Sequence, residues 1–190
     1  MDLTSSIALK KTSRYTPVAI FLHWVIALFV ISMVALGWYM VSIEDNPGSG
    51  IYFNLHKSFG IILAVLIVVR IVWRFGHKPP PLPGSLAKWQ AISSRATHFL
   101  LYCAIVLMPT VGILGAMFSK GGLAFFGLEF PRVFAPDRAI AEQFFAAHGV
   151  IAWIILALVL VHSLAGLKHL LIDKNKVFER MWFGTGEHLQ

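Results

Sequence analysis

A single cysteine, Cys103, in 190 residues leaves no partner for an internal disulfide. It also excludes a cysteine-ligated iron–sulfur cluster and the C-x-x-C-H attachment of a covalent haem. Charge is scarce too. Asp, Glu, Lys and Arg make up 13% of the chain, against about 25% in soluble domains. With 57% hydrophobic residues and a mean hydropathy of +0.74, the composition is that of an integral membrane protein. None of the nine Asp and Glu residues falls inside the four long apolar runs at 17–41, 55–75, 94–118 and 144–167. Those runs therefore lack the intramembrane carboxylate expected of a proton-coupled transporter. The formal charge of +7 is not a nucleic-acid signature, because the basic residues gather at the ends of apolar runs and form no stripe.

What is present is span length. About 20 apolar residues, rising about 1.5 Å each, cross a hydrocarbon core of roughly 30 Å, and each run meets that length. The chain reads as one membrane domain over 1–190, an all-α membrane protein built as a four-transmembrane-helix bundle. Residues 1–14 are polar and end in Lys10, Lys11 and Arg14. The run that follows is longer than the roughly 7–15 apolar residues of a signal peptide, which predicts an uncleaved first helix. Between the spans, 42–54 has turn chemistry in Asp45, Asn46 and Pro47, and 76–93 is rich in proline. The aromatic connector 119–143 is expected along the membrane interface, and Pro109 is expected to kink the third span.

Four spans place both termini on one side. All but Lys57, Lys120, Arg132 and Arg138 of the 16 Lys and Arg residues fall on that side, which makes it cytoplasmic by the positive-inside rule. Depth then sorts the histidines. His148 and His162 stand fourteen residues apart in the last run, only about 40° short of four full turns, so they share a helix face about 21 Å apart along the axis. His56, opening the second span, falls at the outer level of His148. His23, two turns into the first, falls at the inner level of His162.

An imidazole in lipid is costly and reads by default as functional; the alternative for any one of them is a hydrogen bond to a neighbouring carbonyl. Two pairs at two depths in a bundle match two haems of b type, each held by two histidines. Zinc would need three or four convergent ligands, often with thiolate or carboxylate. Copper stays open on histidine count. Both axial positions filled would favour electron transfer over oxygen binding. Gly60, one turn from His56, offers room for a flat ligand. Arg70 and Arg74 share a face at the inner end, and for Arg70 two readings stand: snorkelling to the interface, or pairing with a haem propionate.

The segments RYTPVAIFLHW, HKSFGIILAVLIVVRIVWR, HFLLYCAIVLMPTVGILG and HGVIAWIILALVLVH together resemble the bacterial di-haem cytochrome b-561 family over residues 14–170. The resemblance implies a bacterial cytoplasmic-membrane bundle with two non-covalent haem b groups, working with the ubiquinone pool. In one branch it implies oxidation of periplasmic superoxide. It also places a histidine at the position of His98, near an inner level already supplied by His23 and His162. Three roles stand for it: a hydrogen bond to quinone or propionate, packing, or ligation in place of His23. His77, His169 and His188 lie at or beyond span ends and are expected to be solvated.

Two functions follow. One is a superoxide-to-ubiquinone oxidoreductase in which Lys57, beside His56, steers the anionic substrate, with Lys120, Arg132 and Arg138 contributing. The other is a non-catalytic conduit, a cytochrome b subunit or carrier that docks a partner through the 119–143 loop.

Overall fold

A computed structural model describes residues 14–83, 86–175 and 177–183; Lys10, Lys11 and His188, weighed above, lie outside them. Four helices dominate: α1 Pro17–Ser42, α2 Gly50–Gly76, α3 Lys88–Phe118 and α4 Arg138–Leu171. All four are long and apolar enough to cross a membrane. A short hairpin, β1 Ala124–Phe125 and β2 Leu128–Glu129, lies between α3 and α4, and a 3₁₀ turn, Phe178–Met181, follows α4.

The starts of the helices are set by caps that hydropathy does not register. Thr16 Oγ1 accepts from the Ala19 N–H at 3.3 Å, with Pro17 at the first helical position. Gln90 Oε1 accepts from the Ala87 N–H at 3.1 Å, and Asp137 Oδ1 from the Ile140 N–H at 3.0 Å. Consequently α3 begins at 88 and α4 at 138, well ahead of the apolar runs at 94 and 144. α3 continues as one helix through Pro109.

The helices pack as two antiparallel hairpins, α1 with α2 and α3 with α4, joined by contacts of α2 with α3, while α1 and α4 make few close backbone approaches. Ile26, Leu63 and Ile67 form the buried seam of the first hairpin, with Phe29, Val30 and Met33 around them. In the second, a β-carbon at Gly115 would lie 2.7 Å from the Phe145 ring, so glycine is what allows α3 and α4 to close. Outward-facing side chains are large and apolar, with Leu28 at 65% and Val72 at 64% exposure. In water such a surface would aggregate; in a bilayer it is solvated.

The 119–143 connector is more structured than its composition indicates. β1 and β2 turn through Phe126 at φ 47° and Gly127 at φ 85°, the left-handed pair of a tight hairpin. Ser58, fully buried, fastens this hairpin to α2: its hydroxyl donates to the Asn54 carbonyl at 2.7 Å and accepts the Phe126 N–H at 2.8 Å. At the opposite end, the 3₁₀ turn is tied beneath the bundle. Trp24 Nε1 donates to the Met181 carbonyl at 2.7 Å, and the Arg180 guanidinium to the Pro81 carbonyl at 2.7 Å. We refer to these as the hairpin end and the terminal end.

Candidate functional site

Histidines from all four helices meet in two places. Near the terminal end, the rings of His23 on α1 and His162 on α4 lie 6.0 Å apart between centroids, inclined at 75°. Near the hairpin end, His56 on α2 and His148 on α4 lie 6.0 Å apart at 73°. The apolar seam of Ile26, Leu63 and Ile67 occupies the depth between them.

Backbone shape sets each imidazole. His148 Nδ1 lies 3.1 Å from the Met108 carbonyl, to which it donates. That leaves Nε2 as the nitrogen with a free lone pair, the arrangement in which a ligating histidine is oriented by its other ring nitrogen. The approach is possible because Gly112 lies against the ring: a β-carbon there would sit 3.0 Å from His148 Cε1. Gly37 does the same for His56, at 3.2 Å from its Cε1. His56 Nδ1 is buried without a hydrogen-bond partner, a condition costing about 1–3 kcal/mol for a polar group left unmet.

Other candidates occupy different positions. Gly60 faces the Met33 side chain at 3.7 Å instead of a histidine. His98 lies 5.2 Å from His162 between centroids, with Nδ1 2.6 Å from the Ser94 carbonyl. Three imidazoles thus gather near the terminal end. Arg70 reaches the same region, donating to the Ala19 carbonyl at 3.0 Å, one turn before His23. His77 stacks on Trp73 at 3.9 Å, and His169 Nδ1 lies 3.0 Å from the Asp173 carboxylate, so neither joins a pair.

At the hairpin end, Lys57 is half-buried and its ammonium donates to the Gly122 carbonyl at 3.1 Å. The Arg132 guanidinium donates to the carbonyls of Ser119 at 3.5 Å and Lys120 at 2.5 Å. Lys57, the chain neighbour of His56, and Arg132 are therefore both held on one turn, 119–122. The acceptors of both are neutral carbonyls, and Glu129 is the acid that faces Lys57. Arg138 differs, because it pairs with Glu142 at 2.6 Å.

A sequence model described as prokaryotic cytochrome b561 matches residues 14–184. The chain belongs to the prokaryotic cytochrome b561 family. Cytochrome b561 homolog 2 of Escherichia coli (strain K12) is 35% identical over 177 residues, covering 88% of this chain and 90% of that protein. Cytochrome b561 homolog 1 of the same organism is 26% identical, covering 89% and 97%. A protein of Yersinia pestis named probable superoxide oxidase CybB is 24% identical, covering 88% and 95%. As a cytochrome b561, the chain is a multi-pass membrane protein of electron transfer, from a family that binds haem b.

The residues of this cytochrome b561 fit that group. Two imidazole nitrogens each about 2 Å from one metal ion put their ring centres roughly 6 Å apart, the separation found at both pairs. The glycines at 37 and 112 and the unpartnered nitrogen of His56 show a cradle whose shape is already set around the rings.

Proposed function

We propose that the chain is a di-haem cytochrome b of a bacterial cytoplasmic membrane, with the terminal end facing the cytoplasm, that oxidises superoxide at the hairpin end and reduces ubiquinone. His56 and His148 would hold the outer haem, and His23 and His162 the inner. Each haem, when bound, supplies a one-electron ferric–ferrous couple. With two imidazoles holding each group, no position would be left for dioxygen to bind. Superoxide gives up one electron and departs as dioxygen; two such electrons and two protons convert ubiquinone to ubiquinol.

The observation that carries the substrate is that Lys57, the chain neighbour of His56, and Arg132 are held on one turn, 119–122. The outward regions as a whole have one more acid than base, so an anion is attracted only where cations are held together. The name of the Yersinia pestis relative supports the same reading. Stopped-flow mixing of the purified, haem-loaded protein with superoxide tests it. Haem reduction should be rapid, and a ubiquinone analogue should reverse it. Raising ionic strength from about 0.01 to 0.15 M shortens the screening length from about 30 to 8 Å and should slow the reaction several-fold. Lys57→Gln, which keeps a donor for the Gly122 carbonyl and removes the charge, should slow it similarly at low salt with both haem spectra intact. A haem that superoxide does not reduce would leave the conduit reading in its place.

Arg70 gives a second check. Placed beside the inner histidines, its guanidinium would pair with a haem propionate. Arg70→Gln should lower the inner midpoint potential by roughly 60 mV, a factor of ten in a one-electron equilibrium, because a cation favouring the reduced state is removed. Redox titration of the two haems reads this directly; an unmoved potential returns Arg70 to snorkelling.

A further inference from the structure

At the terminal end a shallow, open-mouthed recess lies between α1, α2 and α3, lined by Tyr15, Arg70, Trp73, Arg74, His77 and Tyr102 among others. Its walls are fixed. Trp73 Nε1 donates to Thr16 Oγ1 at 2.9 Å and its ring stacks on His77. Arg74 lies over the Tyr102 ring at 5.2 Å, a cation–π contact that uses none of its N–H donors. Among the described residues no carboxylate lines the recess. Among the described residues neither Arg70 nor Arg74 forms an ion pair.

Two guanidiniums one turn apart, without an acid, at the end of an apolar span, favour an anion over a neutral headgroup. The recess opens at the end of a membrane span, the depth at which lipid headgroups lie. We infer that this recess is a binding site for the phosphodiester of an anionic lipid headgroup, with Arg74 as its principal donor. Arg70, deeper in the wall, is shared with the inner histidines. Arg74 lies nearer the span end and also faces His98.

The haem-loaded protein, reconstituted in phosphatidylcholine nanodiscs containing phosphatidylglycerol and released for native mass spectrometry, tests the site. The natural protein should retain one phosphatidylglycerol in preference to phosphatidylcholine. Arg74→Gln should weaken that retention by about tenfold, as loss of a charge-assisted hydrogen bond implies, and Arg74→Lys by less, since it keeps the charge and loses the fork. Haem content, read in the same samples, shows that each variant is folded and is independent of the proposed electron route. Equal retention by the natural protein and Arg74→Gln would overturn the inference, as would equal retention of the two lipids. A second arm titrates delipidated protein with inorganic phosphate. Phosphate that binds at Arg74 and that phosphatidylglycerol does not displace would assign a soluble anion and overturn the lipid source.

Discussion

Replacing His56 or His148 with alanine is expected to remove one haem and leave the other spectrally intact, and replacing His23 or His162 to remove the other one. In each variant the pyridine haemochrome signal per protein should fall to about half, with a single low-spin bis-histidine signature remaining. The pairing follows from ring separations of 6.0 Å at both places. The decisive control is His98→Ala. Its ring lies closer to His162 than His23 does, at 5.2 Å, and its Nδ1–H is committed to the Ser94 carbonyl, leaving Nε2 available. The His98→Ala protein should nevertheless keep both haems. Loss of the inner haem in that variant would transfer the ligand role from His23 to His98.

The second large effect is expected at a residue without a side chain. A valine at position 112 would push branched carbons against an imidazole that already lies 3.0 Å from where a β-carbon would be. The ring would have to leave the Met108 carbonyl, and the outer haem should be lost, again reducing the haemochrome signal to about half. Gly60→Ala is the matched control. Its new methyl would meet only Met33 at 3.7 Å, an ordinary contact, and both haems should remain. Retention of two haems in Gly112→Val would mean that His148 is not held by this backbone approach.

These two glycines mark what the sequence could and could not disclose. Span number and the depth of each histidine follow from hydropathy and helical rise, which are properties of single helices. The choice of Gly37 and Gly112 over Gly60 depends on how helices face one another, and that is absent from any one helix. Gly60 is in register with His56 on its own helix, yet the glycine that meets His56 comes from α1. The early starts of α3 and α4 were hidden because Gln90 and Asp137 act through hydrogen bonds at polar positions. The hairpin was obscured by Phe126, a bulky residue at positive φ, where a strand turn usually shows asparagine or aspartate. Lys57 was legible as a cation beside His56, but its tether to Gly122 was not, since it spans 65 positions of sequence.

The pairing of α1 with α2 and α3 with α4 bears on how such a protein is made. Each pair is a helical hairpin with its own contacts, and residues 77–87 lie between the two in sequence. As the chain emerges from the ribosome, the first hairpin can settle in the bilayer before the second is synthesised. Neither hairpin completes a histidine pair alone, because His23 and His56 arrive with the first, and His148 and His162 with the second. With the ligand pairs proposed above, cofactor capture would be deferred to the moment the two halves meet, and α4, the last span to arrive, would be the checkpoint of assembly.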